Sequence, residues 1–591
     1  MISVQRARHL CLIAFWVTLT ACQSGNPSPA VGTLASVPTA TQHAETEMPS
    51  PGGTRTLPQI SRVIPTQPLT PLPTVVPTDP SPAISLSPTP AKGGQVTIGG
   101  LGRPDTLHPL LAESEAARAV LPLLFDSLLA YDPNSGQLMP RLAESWKVAG
   151  DSRAITFTLR SDARWHDGQP VVADDVVFTI ETARDPTLDS FYGPQLEPVV
   201  EVKALNDKTV AIRLAEADCP SLAVLGELPI LPRHVLARPG LDPSAFGSAP
   251  LGSGPFNFVD WESDGDLHLA ANDDYWGGAP YLAAWSYRPF DTTAELQQAL
   301  EREQIDAALL PPGSLLNTGD LSASLSVYRY PAPEFLFVAF NNDHPILADA
   351  RVRRALSMAI DREGLLGEAL GGAGELIPGS LPAAHWAADP ALQPPAYDPG
   401  GARRLLAEAG WADSDGDGWL DRDGERLRVP VRTNGGNRLR EDVASLVAGY
   451  YRAIGVDASA ELVAWGAVVD DLFTHDFEAI VFSWPLPAEP DQSRWWLSTE
   501  NQIGSGYNFV SFANTEVDRL LQEAAILPEC EAGRRAELYQ EIQRLLAQER
   551  PYDFLLVPYA ALVMREGING AQPGPFASPF WNAAEWYISA D

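Results

Sequence analysis

The sequence predicts a mixed α/β protein, and three observations carry that prediction. Apolar residues recur at a two-residue period in some segments and at helical spacing in others. The two kinds are interleaved along the chain, which favours helices layered on sheet over a bundle or a sandwich. No segment repeats at 20 to 50 residues, which sets aside solenoids and propellers. The chain has 591 residues, 45% hydrophobic and 20% charged, ordinary values for a chain that buries a core. At about 150 residues per domain, two to four domains are expected.

The N-terminal elements concern location. Residues 1–21 carry Arg6 and Arg8, the apolar run Leu10 to Leu19, and then small residues before Cys22. A short basic region followed by an apolar stretch too short for a permanent span reads as a secretory signal peptide, so the chain is exported. Leu19-Thr20-Ala21-Cys22 resembles a bacterial lipobox, which implies that Cys22 is the first mature residue and carries lipid. Residues 22–93 then turn to Pro, Thr, Ser and Ala with almost no large apolar side chains. Such a stretch cannot bury enough surface to offset its entropy and is read as a disordered tether. Extended, it would reach on the order of 100–200 Å. No later run approaches the length of a membrane span, so lipid is the expected attachment to the outer face of the cell membrane, or in the periplasm.

From Gly94 onward structure is expected throughout. Gln95 to Ile98, Ile155 to Leu159 and Thr209 to Leu214 alternate as half-buried strands. Ala116 to Leu129, Ala402 to Ala409, Arg440 to Ile454 and Ala532 to Gln548 carry helical spacing. Asp167-Gly168 marks a turn before a helix start at Asp174 and Asp175, and His166, inside that turn, is read as structural. Gly252-Ser253-Gly254-Pro255 lacks the Lys-Ser/Thr of a phosphate loop.

Charge and motifs exclude several functions. With 41 Lys+Arg against 75 Asp+Glu the formal net charge is −34, the wrong sign for gripping nucleic acid. Four cysteines are too few for a disulfide scaffold or a multi-cysteine metal centre. Of these, Cys219 and Cys530 alone fall in the folded body; an oxidising compartment permits a bond, but two free, buried thiols are expected. No Gly-x-Ser-x-Gly elbow, His-Glu-x-x-His helix or distinctive carboxylate pair is present, so no enzyme is expected, with a surface hydrolase the alternative.

One ordered set of phrases carries a resemblance. Pro104-Asp105-Thr106-Leu107-His108-Pro109, Pro140 to Trp146, Arg164 to Gly168, Ala173-Asp174-Asp175-Val176-Val177, Gly252-Ser253-Gly254-Pro255, Asn272-Asp273-Asp274-Tyr275-Trp276, Arg351 to Leu356, Ala359-Ile360-Asp361-Arg362 and Tyr397-Asp398-Pro399 follow one another at family-like spacing. Together, over residues 94 to 587, they resemble the peptide/nickel class of extracellular solute-binding proteins. The resemblance implies a two-lobe periplasmic-binding-protein-like fold, an extra side subdomain, and two crossover strands as hinge. Phe335 to Phe340 and Phe554 to Tyr559 read as the crossovers. Lobe one would be 94–329, with the side subdomain at about 131–235; lobe two 330–555; and 556–591 the return to lobe one.

The function implied is that of the solute-binding component of an ABC importer: a monomer that encloses a small solute, a peptide or peptide-like molecule, and presents it to a permease. A sensory or surface lipoprotein with the same fold is the alternative. In peptide-binding members an Asp three residues after a Trp pairs with the peptide's amino group. Here that position, after Trp484, holds Pro487. Either Glu489 or Asp491 serves instead, or the charge is absent and the solute is a sugar, an opine-like conjugate or a metal chelate. Trp495, Tyr507 and Asn508 downstream, and Asn341 at the end of the first crossover, complete the candidate binding set. Nine scattered His residues give no paired spacing for a directly bound metal.

No cofactor is expected for function. A structural Ca2+ is a separate expectation. Asp413, Asp415, Asp417 and Asp421 occupy positions 1, 3, 5 and 9 of a calcium-type loop, with Gly418 at position 6 for the sharp turn, the Trp419 carbonyl at position 7, and Gly424 where a bidentate Glu is usual.

Overall fold

The computed structural model describes residues 90–238, 243–261, 265–314 and 324–589. The signal segment, Cys22 and the tether as far as residue 89 lie outside the described residues. One twelve-stranded sheet organises the rest. Its strands in chain order are β1 (Gln95–Leu101), β2 (Phe256–Trp261), β3 (Leu267–Ala271), β4 (Ala284–Phe290), β5 (Ala307–Leu310), β6 (Leu325–Pro331), β7 (Glu334–Phe340), β8 (Gly374–Leu376), β9 (Val431–Asn434), β10 (Ala460–Val463), β11 (Ala479–Pro485) and β12 (Tyr552–Arg565). They lie in the order β10-β9-β11-β7-β12-β5-β1-β4-β3-β2, with β6 and β8 also paired to β12.

Strand β12 joins the two halves of this sheet. Tyr552 to Arg565 is an almost unbroken apolar run, buried on both faces as a central strand must be. Its first half pairs with β7 and β8, as in Leu336 opposite Leu556 and Glu375 opposite Val557. Its second half pairs with β5 and β6, as in Leu310 opposite Ala561 and Tyr330 opposite Ala560. The partners change near Pro558, whose carbonyl accepts from Ala332 N at 2.8 Å. Strand β7 runs antiparallel to both β12 and β11, placing Phe335 opposite Trp484. Strand β12 therefore crosses from one lobe to the other, and the lobe boundary read at 555/556 falls inside it; the chain's other crossing lies between β6, paired to the second half of β12, and β7, paired to the first.

The core divides accordingly. One cluster joins β1 and β4 to the side subdomain through Val96, Ile98, Phe157, Trp165 and Trp285. Lobe two has an apolar layer on each face of its sheet, one around Phe337, Phe482 and Trp496 and the other around Val338, Val481 and Tyr451. The side subdomain carries an antiparallel sheet of Ala143–Val148, Ala154–Leu159, Thr209–Leu214 and Val199–Asn206. Its helix Ala173–Ala183 starts where Asp175 accepts from Val172 N at 2.9 Å and Trp165 Nε1 at 3.1 Å. His166 is structural here: its ring contacts Gly254 O at 3.0 Å and accepts from Gly252 N at 3.2 Å.

The helix expected over Ala116 to Leu129 is Glu115–Leu124, shorter at its C-terminal end. Phe125 is extended, and Leu129 already belongs to a short strand. The Gly252–Gly254 segment presses on this helix end; a Cβ on either glycine would overlap the carbonyls of Leu123 or Leu124. Just beyond it, the fully buried Asp126 gathers Arg141 Nε at 2.6 Å, Trp276 Nε1 at 3.0 Å, Tyr275 Oη at 3.1 Å and Ser253 Oγ at 3.2 Å. Three of the phrases that carry the resemblance thus meet at one carboxylate.

The expectation of two free thiols is wrong. Cys219 and Cys530 form a disulfide with Cα atoms 5.4 Å apart. The side subdomain docks on the loop after helix Thr515–Ala525: Cys219 N donates to Ala525 O at 2.7 Å and Ser152 Oγ to Leu527 O at 2.6 Å. Assignment to separate lobes along the chain did not reveal this contact.

Candidate functional site

A cavity of about 700 Å³ lies between the halves of the structure. Lobe one supplies Leu110, Glu115, Phe125, Tyr131, Tyr287 and others; the hinge supplies Ala332 to Glu334; lobe two supplies Arg440 and Ser483 to Pro485. The walls are chiefly apolar and aromatic, with six charged side chains: Glu115, Arg118, Arg141, Glu227, Glu334 and Arg440. This is the composition of a site that excludes water and orients a guest through a few polar groups.

The arginines have protein partners. Arg141 is held by Asp126. Arg440, on helix Arg438–Ala453, donates to Asn434 Oδ1 at 2.9 Å and Ser483 Oγ at 2.6 Å, with its guanidinium 4.8 Å from the Phe482 ring centre. Two of the glutamates, Glu115 and Glu227, are raised by burial. The Glu227 carboxyl is pushed up to about 8, against a hydrogen bond from Tyr131 that favours its charge. Glu115 is pushed up to about 7 by burial; Arg118 opposes the shift and Glu334 adds to it. Both side chains reach space, but that space is the interior of the cavity.

Among the described residues, Trp484 alone of the seven candidate binding residues lines this cavity. Its Nε1 donates to Tyr552 Oη at 3.2 Å, and its ring stacks on Trp495 at 5.4 Å. Trp495 thus stands behind Trp484, while Trp496 is fully buried and bonded to Gln492 Oε1 at 2.8 Å. Glu489 is paired with the buried Arg535. Asp491 accepts from Ser493 Oγ at 2.7 Å and is raised to about 6 by burial. The Asn508 amide is a loop strut, donating to Leu497 O and Phe512 O. Tyr507 packs under the Arg494 guanidinium at 4.3 Å. Asn341 ties His475 O and Phe477 O to the end of β7.

Sequence reasoning missed the cavity's charged groups. Glu115 is the first residue of its helix, after the Ser114 cap, where an acidic residue is ordinarily explained by the helix dipole. Glu334 offered more signal, as a charge beside Pro333 at the entry of a buried strand.

At the Asp loop, single oxygens of Asp413, Asp415 and Asp421 lie within 4.8 Å of one another. Asp413 also accepts from Gly416 N at 2.8 Å and Gly418 N at 3.1 Å. Asp417 is engaged by Arg426, and Asp421 by Ser414. Of the expected ligands, then, Asp417 is bound to a cation of the protein itself.

One sheet whose two halves are joined by β12, with an apolar cavity between the lobes, defines a solute-binding protein of the two-lobe class. The chain belongs to the bacterial extracellular solute-binding proteins, family 5, which it matches over residues 137–505. It is 30% identical over 510 residues to the oligopeptide-binding protein AppA of Bacillus subtilis, covering 85% of this chain and 92% of that one. The solved structure of that protein in complex with a nonapeptide superposes with a TM-score of 0.65 at 28% identity, covering 85% of this chain and 100% of the other. NikZ from Campylobacter jejuni, in complex with Ni(L-His), gives 0.68 at 27% identity, with 83% and 99% covered. Heme-binding protein A of Haemophilus influenzae is 27% identical over 508 residues, with 82% and 89% covered. Among the described residues no helix is long and apolar enough to cross a membrane.

Proposed function

We propose that this protein captures a peptide between its lobes and delivers it, chemically unchanged, to the permease of an ABC importer, acting as a monomer held at the outer face of the cell membrane by lipid on Cys22. The observation that carries the reading is the cavity itself, whose walls come from both lobes and from the hinge between them. A guest touching both lobes favours the closed arrangement, and closure is what a permease can sense. The similarity to AppA supports a peptide as the guest. The test is native mass spectrometry of the mature chain, with Cys22→Ser to keep it in solution, incubated with a mixed peptide library. Intact peptides bound one per chain are expected; recovery of fragments, or of no peptide at any concentration, overturns it.

We further propose that the Asp413–Asp421 loop holds a structural Ca2+. Its all-oxygen donors suit a hard cation, and Asp413, Asp415 and Asp421 converge as such a cation requires. The Trp419 carbonyl stands at the seventh position, and the ion would neutralise carboxylates that now repel one another.

A further inference from the structure

The charged side chains of the cavity are spent on the protein itself. Arg141 is held by Asp126 at 2.6 Å. Arg118 attracts Glu115, one turn away on the same helix, and Arg440 of lobe two attracts Glu334 of the hinge. Glu227 is pushed up to about 8 by burial, so it is protonated at pH 7, and it accepts a hydrogen bond from Tyr131. Each of the three arginines thus has an acid set against it, and the remaining acid carries no charge. The wall is electrically balanced before any guest arrives.

Its aromatic residues are turned the same way. Among the described residues three tryptophans line the cavity, and each indole N–H is committed to the protein: Trp276 Nε1 donates to Asp126 at 3.0 Å, Trp484 Nε1 to Tyr552 Oη at 3.2 Å and Trp581 Nε1 to Gln572 O at 2.7 Å. The Tyr287 hydroxyl reaches Leu101 O and Gly102 O, at 3.3 and 3.1 Å. What these residues leave for a guest is carbon surface. An apolar side chain gains by moving from water onto such a surface, whereas a charged one loses its hydration there. It could pair only by drawing a group such as Arg141 from its present partner, which strands the fully buried Asp126.

We propose that this cavity selects peptides whose side chains are uncharged and apolar, and rejects peptides that carry Lys, Arg, Asp or Glu. The selection works by exclusion as much as by attraction, since the wall offers no unspent counter-charge. This inference rests on the peptide reading above and narrows it.

The experiment titrates the mature protein carrying Cys22→Ser calorimetrically with three tetrapeptides of one design, with Leu, Lys or Glu at both central positions. All three have the same length and the same free termini, so only the side chains differ. The Leu peptide is expected to bind at least 100-fold more tightly than either charged one. Met139, half-buried on the short strand Leu138–Pro140, faces the cavity without a charge of its own. Met139→Glu adds an acid with no cation set against it, and should strengthen binding of the Lys peptide at least tenfold while weakening the Glu peptide further. Should that variant fail to fold, the ranking of the three peptides by the unsubstituted wall decides alone. Affinities within threefold of one another, or a preference for a charged peptide, overturn this inference and leave peptide capture standing. A folded Met139→Glu protein that gains nothing for the Lys peptide overturns the assignment of selectivity to the charge balance of the wall. Binding of none of the three overturns both readings.

Discussion

Cys219, the residue before helix Pro220–Glu227, is covalently joined to Cys530, 311 residues later in the chain. The bond ties the side subdomain of lobe one to the loop leading into the long helix Ala532–Glu549 of lobe two. A protein that binds by hinge motion therefore has a covalent tie at its periphery, which limits how far the lobes separate. Cross-links that close long loops stabilise chiefly by constraining the unfolded chain, by about 2–5 kcal/mol. Cys219→Ser/Cys530→Ser, or reduction of the wild type, is expected to lower the melting temperature by several degrees. It is also expected to enlarge the radius of gyration of the ligand-free protein in small-angle scattering. An unchanged radius would show that the loop contacts alone hold the lobes together.

The buried glutamates make stability depend on pH with a definite sign. Their carboxyls titrate near the ordinary value for Glu in the unfolded chain but at about 7 for Glu115 and about 8 for Glu227 when folded. A raised carboxyl contributes stability that is fully present below the unfolded value and lost as pH rises through the folded one. The ligand-free protein should therefore melt at a lower temperature at pH 8.5 than at pH 5. Glu115 faces Arg118, Glu334, Tyr287 and Tyr330; Glu227 faces Tyr131, Tyr192 and Glu489. The acidic surface pulls in the same direction, so the deciding comparison is with Glu115→Gln/Glu227→Gln. That variant should gain more at pH 8.5 than at pH 5; equal gains at both would show that these carboxyls do not titrate in this window.

Trp484 is expected to matter for binding more than for folding. It lines the cavity while its ring is stacked against Trp495, Phe337 and Phe509. Trp484→Leu keeps an apolar side chain but removes the aromatic wall and the Nε1 bond to Tyr552. Affinity for bound peptides should fall at least tenfold in calorimetric titration, with far-ultraviolet circular dichroism unchanged. Unaltered affinity would move the peptide to the lobe-one side of the cavity.

The hinge was legible in the sequence because Phe335 to Phe340 and Phe554 to Tyr559 are continuous apolar runs, and only a strand buried on both faces needs one. The site was much less so. Glu489 and Asp491 looked available because they follow Trp484 closely, but the cation that takes Glu489 is Arg535, 46 positions on and from the helix Ala532–Glu549. Glu115 was hidden by an alternative explanation, since an acid in a first helical turn is common for reasons unrelated to ligands. The disulfide was misjudged because a division into lobes records chain order, whereas bonding depends on where surfaces dock.

The acidic loop gives the remaining prediction. Asp413, Asp415 and Asp421 already converge, but Arg426 occupies Asp417 and stands over the Trp419 ring at 6.0 Å. A calcium ion must displace that guanidinium, or bind without Asp417, so the affinity should be weak, on the order of 0.1–1 mM as in extracellular modules. Millimolar calcium should raise the melting temperature and a chelator should reverse the rise. Terbium bound in its place should luminesce on excitation of Trp419. Asp413→Asn/Asp415→Asn should abolish both signals, whereas Arg426→Ala should strengthen calcium binding by freeing Asp417. If calcium shifts neither the wild type nor Arg426→Ala, the segment is a turn closed by Asp–backbone hydrogen bonds, such as Asp413 to Gly416 N, and the ion has no place in it.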